Sequence, residues 1–145
     1  MQNLNFTGGT IHVINKVFTV PLGVAQTAIA ANFTALAGAV TSANLVSNVT
    51  SLKDVTIFAP NNDAFNKIGS AVGNASATTL SSVLKYHIVP NVFYSTSLRN
   101  VSVATADGVN LTITVFPDGS VFANNAKVII PDVLVANGVV HVIDK

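Results

Sequence analysis

The sequence predicts an α+β fold, with its helices in the first part of the chain and most of its strands in the second. Apolar residues recur at helical spacing between Ile29 and Val40. They alternate with polar residues from Val109 to Val115, a pattern typical of a half-exposed strand. Because helices precede strands and do not alternate with them, the order favours α+β over α/β.

Three helices are expected. The first has an apolar stripe in an Ala-rich context, formed by Ile29, Phe33, Leu36 and Val40. The second is short: Asn61 or Asn62 caps it, Asp63 suits its positive N-terminus, and Gly69 ends it. Its predicted apolar face consists of Phe65 and Ile68. The third ends before Pro90, and its apolar face is formed by Leu80, Val83, Leu84, His87 and Ile88.

The strands are expected in a definite order. Val55 to Ala59 is an apolar run that indicates a core strand, and Val109 to Val115 turns at Phe116–Gly119 into Ser120–Ala123. Ala126 to Ile130 follows, with Pro131 expected to end it. The dipeptide Asn137-Gly138 then predicts a hairpin between Val133–Ala136 and Val139–Ile143.

The charge of the chain is unusually low. Only 9% of its 145 residues are charged and the net charge is +1, whereas an average soluble domain has about 25% charged residues. This balance excludes an electrostatic grip on nucleic acid or on an anionic membrane surface. Polar residues interrupt each of the longer apolar stretches, so no transmembrane segment is predicted. There is no cysteine, which excludes disulfides and thiolate metal sites.

Asn-X-Ser/Thr triplets point to the compartment. The chain has six of them, about twice the number expected by chance from its composition. They begin at Asn5, Asn32, Asn48, Asn74, Asn100 and Asn110. These residues are therefore candidates for N-glycosylation in a secreted glycoprotein, whose sugars would supply the surface hydration that charged side chains do not.

One segment occurs twice. Gly9–Lys16 reads almost letter for letter like Gly138–Lys145, with the histidine and the lysine in register. The first copy is interpreted as the closing strand of a preceding repeat, so that the chain is one period of a tandem array. The predicted boundaries are residues 1–21 for that strand and its linker, and 22–145 for one domain.

Three blocks of residues resemble the fasciclin family. Thr56–Phe65 is similar to the first signature block, Leu84–Pro90 to the Tyr-His block, and Asn137–Lys145 to the block that closes each domain. The blocks occur in the family's order. The resemblance implies a wedge or sandwich of strands with an N-terminal helical layer, and an extracellular or cell-wall role in adhesion or matrix contact.

The motif residues are interpreted as scaffold. The set comprises Thr56, Phe58, Pro60, Asp63, Phe65, Tyr86, His87, Pro90, Asn137, Gly138 and His141. His87 is expected on the apolar face of its helix as a hydrogen-bonded core residue. His141 is expected to point outward from its strand, in alternation with Val139 and Ile143.

A candidate adhesion segment precedes the closing block. In some animal members of the family, Asp-Ile-type segments at this place are implicated in integrin binding. Here Asp132-Val133 occupies the comparable position, although Pro131 departs from the family's pattern. An Asp after Pro is also ordinary turn chemistry. The partners implied are a cell-surface or matrix protein or glycan, or a second copy of the chain.

The sequence carries no recognisable catalytic motif. No nucleophile elbow, phosphate-binding loop or glutamate is present, and no metal or cofactor is predicted. Two alternatives to adhesion stay open: a pocket for a small hydrophobic ligand near Tyr86 or His87, and an enzyme centred on Tyr86, His87 and Asp63. A further expectation is that the strand Thr10–Ile14, cut from its own domain, has no partner and pairs with a sheet edge to drive self-assembly.

Overall fold

The structure is a computed structural model, and it describes residues 2–13, 20–24, 26–27, 33–69 and 74–145. The strands are β1 (Gln2–Phe6), β2 (Gly9–Val13), β3 (Val55–Pro60), β4 (Ile88–Val89), β5 (Val101–Ala104), β6 (Asn110–Val115), β7 (Val121–Ala123), β8 (Ala126–Val135) and β9 (Gly138–Ile143). The helices are α1 (Thr34–Ser42), α2 (Val46–Ser51), α3 (Asn62–Lys67) and α4 (Ala77–Tyr86). The predicted helix residue Ile29 and the sequon residue Asn32 lie outside the described residues.

Local capping chemistry places the short helix α3. The Asn61 side chain accepts a hydrogen bond from the Ala64 N–H at 2.8 Å, so Asn61 is the N-cap. Asp63 lies in the first turn, as predicted. The predicted apolar face is wrong in one respect: Phe65 is buried, but Ile68 is 46% exposed.

Helix α4 ends earlier than predicted. Ser76 caps its start by accepting from the Thr79 N–H, and Leu80 and Leu84 are its buried residues. His87 is the C-cap and Ile88 already belongs to β4, so neither continues the helical face. Val83 is largely exposed. Helical spacing in the sequence therefore extended the apolar face one turn too far.

Seven strands form one mixed sheet in the order β4-β3-β9-β8-β7-β6-β5. The pairing of β3 with β9 is parallel, and each of the other pairings is antiparallel. The closing strand β9 thus lies inside the sheet between β3 and β8, two strands that are distant from each other in sequence. All six residues of β3 are buried, which confirms the predicted core strand.

Two apolar clusters contact opposite faces of β3. Alternate side chains, among them Val55 and Ile57, join a cluster with the helices, whereas Phe58 joins a cluster with Leu111 and Ile113 of β6. This alternation is the period-two geometry of a strand. The helices therefore pack on one side of β3. The second apolar cluster lies on its other side and includes residues of β6. Val109, predicted as the first residue of the alternating strand, lies just outside β6 and is exposed.

Strand β8 is longer than predicted because Pro131 does not end it. The strand runs from Ala126 to Val135, and its register against β9 shifts between Val128 and Ile130 and again between Ile130 and Val133. A proline lacks the N–H that a regular ladder requires, but it is tolerated at a bulge. What the sequence indicated as two strands is one bulged strand.

The glycine of the β8–β9 hairpin is needed for packing rather than for the turn. Val135 pairs with Gly138, so the two loop residues are Ala136 and Asn137. A Cβ at Gly138 would lie 1.9 Å from the Val55 carbonyl oxygen, which no other residue could accommodate without displacement. Asn137 fixes the loop, since its amide donates to the Val49 and Leu52 carbonyls at 2.8 and 3.0 Å.

The N-terminal segment forms a separate two-stranded sheet. Strand β2 pairs with β1 in antiparallel register, from Phe6↔Gly9 to Gln2↔Val13. The expectation that the leading strand has no partner is therefore wrong, because the chain supplies one in β1.

Candidate functional site

Three polar side chains hold residues 91–95, here called the tethered loop, against the sheet. The first, His141, is fully buried. One ring nitrogen, Nε2, lies 2.7 Å from the Phe93 carbonyl, and Nδ1 accepts from the Asp132 N–H at 3.3 Å. Since a carbonyl only accepts, the ring proton sits on Nε2. The prediction that His141 points outward is wrong, because β9 is a central strand covered on both faces.

Thr56 makes the second attachment. It is fully buried, and its hydroxyl donates to the Asn91 carbonyl at 2.6 Å while accepting from the Phe93 N–H at 2.8 Å. One side chain thus satisfies two backbone groups of the tethered loop. The first residue of the Thr56–Phe65 block therefore acts as a polar attachment within an otherwise apolar strand.

Asp132 makes the third attachment. Its carboxylate accepts from the Ser95 N–H at 2.8 Å and from the Ser95 hydroxyl. Burial raises the pKa of the Asp132 carboxyl, but the hydrogen bonds from Ser95 and the nearby His141 ring lower it by more, so the pKa lies below its usual value. Its backbone has φ 57°, a left-handed conformation that Asp tolerates better than most residues.

Strand β8 has four exposed apolar residues close together in sequence, on either side of Asp132. They are here called the β8 ridge: Ile129, Ile130, Pro131 and Leu134. The ridge residue Leu134 is 54% exposed. Tyr94 is also exposed, and the bonds from Ser95 to Asp132 bring it to the same part of the surface. Val133, in contrast, is half-buried against the helical cluster.

The Tyr-His pair occupies a different region, at the end of α4. The His87 Nδ1–H donates to the Val83 carbonyl at 2.7 Å. Burial lowers the pKa of His87, and this backbone hydrogen bond opposes the shift only in part. The Tyr86 hydroxyl accepts from the Asn124 amide at 2.8 Å. Both side chains therefore have intramolecular partners of the kind a scaffold role requires.

The described ranges contain no cluster of three potential metal-ligating side chains. Asp63 is exposed at the start of α3 and belongs to no group of three potential metal ligands, nor does any other described residue. Other motif residues lie in or next to the central strands: the buried Phe58 ring centroid is 5.5 Å from that of His141, Pro60 is the buried last residue of β3, and Pro90 follows β4 at the surface.

A cavity lies between the helices and the sheet, close to His87. Its volume is about 70 Å³, and its lining is almost entirely apolar. The lining includes Leu36, Val40, Val49, Ile57, Leu84 and His87. Typical ligand pockets occupy about 300–1,000 Å³. The cavity therefore has room for only a very small apolar molecule unless the helices move apart.

The described sequons all present an exposed asparagine. Asn5, Asn48, Asn74, Asn100 and Asn110 are exposed, as are their partner serines and threonines. Asn100 accepts from the Val115 N–H through Oδ1 at 2.6 Å, an atom that glycosylation does not use. Asn110 lies at an exposed position of the alternating strand β6. No helix within the described residues is long and apolar enough to cross a membrane.

Comparison with known proteins identifies the family. The model of the fasciclin domain matches residues 31–145. The chain belongs to the fasciclin family. It is 43% identical, over 93% of its length, to a fasciclin-like arabinogalactan protein of Arthroderma benhamiae, of which it covers 32%. It is 34% identical, over 99% of its length, to a second such protein from Phaeosphaeria nodorum, of which it covers 46%.

Animal relatives and a solved structure extend this result. The pig transforming growth factor-beta-induced protein ig-h3 is 28% identical over 94% of the chain, which covers 21% of it. A solved FAS1 domain pair from the insect cell adhesion molecule Fasciclin I superimposes with a TM-score of 0.65 and 25% identity, over 82% of this chain and 45% of that one. The fasciclin chain thus spans less than half of the length of either arabinogalactan-type relative.

Proposed function

We propose that this fasciclin domain is an extracellular, non-enzymatic module for adhesion or for contact with matrix or cell-wall material. Its relatives support an adhesion or matrix-type role, since they include a protein named as a cell adhesion molecule. The observation that carries the proposal is the β8 ridge next to the tethered loop, because four exposed apolar residues within six positions of one strand favour a contact role over isolated exposure.

In this proposal Asp132 supports the binding surface and the ridge contacts the partner. The Asp132 carboxylate is already bonded to Ser95, so its contribution is to hold Tyr94 and Pro131 in place. Val133 packs inward for the same purpose. The partner is then a protein or glycan surface that offers apolar contact, and integrin recognition through a free carboxylate is not required.

The test compares two exposed apolar residues. Leu134→Ser alters the ridge, whereas Val109→Ser alters a residue of almost equal exposure, 52% against 54%, outside the ridge. Purified glycosylated protein is incubated with intact cells and with isolated cell-wall material up to micromolar concentration. We expect Leu134→Ser to weaken retention and Val109→Ser to leave it unchanged. Equal retention of both variants, or no binding by the parent chain, contradicts the proposal.

We also propose that the parent protein contains fasciclin repeats in tandem, with residues 1–21 as the end of one repeat and its linker and 22–145 as the next. The β1–β2 hairpin supports this reading, because it has the same pairing as the β8–β9 hairpin, with Gly9 in the place of Gly138. Intact-mass analysis of the parent protein from its native source tests it. A parent of single-domain mass contradicts the tandem arrangement.

N-glycans are proposed at the exposed sequons, and two of these sites protect a sheet edge. Strand β5 is the last strand of the seven-stranded sheet. Asn100 directly precedes it, and Asn110 pairs with its last residue, Ala104. An unprotected edge strand is a template for pairing with another chain. Glycans here would therefore hinder edge-to-edge association.

Removing single sequons tests this protection. Ser102→Ala abolishes the first sequon but keeps Asn100 and its bond to Val115, and Thr50→Ala abolishes the Asn48 sequon on α2 as the matched control. Light scattering of protein from a glycosylating host should show more association for Ser102→Ala than for Thr50→Ala. An intact mass without glycans contradicts glycosylation itself, and equal association contradicts the protective role.

A small hydrophobic ligand is the second candidate function, and the cavity beside His87 favours it. At about 70 Å³ the cavity suits a molecule of a few heavy atoms rather than a lipid. Val49→Phe would fill the space between α2 and the sheet. If xenon shifts the resonances of the cavity residues in the parent chain and not in this variant, the cavity is accessible. No shift in either protein contradicts this function.

A further inference from the structure

The hairpins β1–β2 and β8–β9 have the same strand pairing, but β8–β9 belongs to the seven-stranded sheet and β1–β2 forms a separate sheet. Phe6↔Gly9 in β1–β2 corresponds to Val135↔Gly138 in β8–β9, and both pairs flank a two-residue loop. The next pairs correspond at the same offset along the chain: Asn5↔Thr10 with Leu134↔Val139, and Leu4↔Ile11 with Val133↔Val140. The repetition therefore extends beyond the sequence repeat into the strand that precedes it.

The two hairpins differ in what covers them. Val140 and Val142 of the β8–β9 hairpin are 6% and 0% exposed, because β3 and the two cores surround them. Their counterparts Ile11 and Val13 are 52% and 48% exposed. The N-terminal hairpin thus exposes apolar residues at positions whose counterparts in the β8–β9 hairpin are buried beside β3.

The N-terminal hairpin also has a glycine at the position where packing against Val55 requires one. The residue beside Val55 must be glycine, since a Cβ at Gly138 would lie 1.9 Å from the Val55 oxygen, and Gly9 stands at this position. His12 stands at the position of His141, and Asn3 at that of Asp132. Asn retains the side-chain oxygen that the Ser95 N–H requires.

We propose that β1–β2 is a second closing hairpin that can complete the sheet of another copy of this chain. It would take the place of residues 131–142 beside β3 when the acceptor's own hairpin is released. In the intact chain the acceptor's own hairpin is covalently attached and therefore binds beside β3 in preference to a hairpin from another copy. Exchanged molecules are then few. They become abundant when the resident hairpin is impaired. This inference does not depend on the adhesive role of the β8 ridge.

The test impairs one hairpin at a time in the full chain. Gly138→Val places a side chain against Val55 and excludes the resident hairpin. Ile11→Asp is tolerated where Ile11 is half exposed, but not where its counterpart Val140 is buried. Thr7→Asp is the matched control, because Thr7 and its counterpart Ala136 are both exposed. All variants are made without glycans, since Thr7 also completes the Asn5 sequon. Circular dichroism and light scattering are compared for G138V alone and for G138V with each second change.

A disulfide identifies the exchanged register. The chain has no cysteine, so Ile11→Cys with Ile57→Cys can be oxidised cleanly in the G138V background. Ile57 pairs with Val140, the counterpart of Ile11, and so faces residue 11 only after exchange. Ile11→Cys with Ala59→Cys is the control, displaced by two residues or about 6.6 Å along the strand.

The proposal expects G138V to be folded and oligomeric. Adding I11D should abolish both properties, whereas adding T7D should not. In the G138V background, the cysteines introduced at positions 11 and 57 should form a disulfide between chains, in the exchanged register. Three results would overturn the proposal. One is equal mass and equal folded content for G138V with and without I11D. Another is a cross-link that forms equally in and out of register. The third is a G138V monomer cross-linked within one chain, which excludes exchange between copies.

Discussion

The two histidines of the fasciclin blocks occupy contrasting environments. His141 lies in a central strand with both ring nitrogens engaged by backbone groups of other segments. His87 caps a helix, and its hydrogen bond goes to its own helix, four residues back. One ring therefore joins distant parts of the chain, whereas the other completes a local element beside a cavity. A shared motif residue type does not imply a shared role, and substitutions should separate the two.

The largest effect is expected for His141→Leu. The change keeps an apolar side chain in the core but leaves the Phe93 carbonyl and the Asp132 N–H without their partner. The free energy of unfolding should fall by about 2–4 kcal/mol, measured by urea denaturation. His87→Leu serves as the comparison and should cost less than half as much. Equal losses would break the distinction between the two sites.

The next largest effect is expected for Thr56→Val, which nearly preserves shape but removes the hydroxyl that bridges Asn91 and Phe93. Two backbone groups lose their partner, so unfolding should become easier by about 1–3 kcal/mol. Thr112→Val on β6 is the matched control, because Thr112 is exposed. It should change stability by no more than about 0.5 kcal/mol in unglycosylated protein. A neutral Thr56→Val would contradict the tethering of residues 91–95.

Asp132 should contribute stability that acid removes. Its folded pKa lies below its unfolded value, so the contribution is present above the unfolded pKa, about 3.9, and is lost as the pH falls through the folded pKa. Asp132→Asn keeps an acceptor for the Ser95 N–H and tolerates the positive φ. Urea midpoints of the two proteins should therefore differ at pH 6 and converge toward pH 2. A pH-independent difference would contradict the role of the carboxylate charge.

Local signals in the sequence predicted much of the fold. Asn61 as a cap, the alternation within β6 and the buried β3 each depend on neighbouring residues, and each is confirmed. The orientation of His141 failed because β9 acquires its second covered face through its pairing with β3, a strand from the first half of the chain. A signal was available, since apolar residues on both sides of a histidine indicate a strand buried on both faces.

The remaining errors also concern long-range contacts. Pro131 was expected to end a strand, but the two register shifts of β8 accommodate it. Gly138 was assigned to a turn, whereas its neighbour Val55 requires it. At the candidate site, the residues Asp132 and His141 were both identified, but their shared attachment to residues 93–95 could not be. Nothing in a single sequence reveals that a loop far upstream of β8 returns to these side chains.

The smallest effect, and the one that most sharply separates the two histidines, is the pH dependence of His87. Its folded pKa is lowered by burial, so the unfolded chain binds the proton more readily. Its contribution to stability is fully present above the unfolded pKa, about 6.5, and is lost as the pH falls from there through the folded pKa.

Thermal midpoints of the parent chain should thus decline between pH 7.5 and 5, and His87→Gln should flatten this decline. Tyr86→Phe, which removes a neighbouring hydrogen bond but leaves His87 in place, should lower stability without changing the slope. An unchanged slope in His87→Gln would assign the decline to another group.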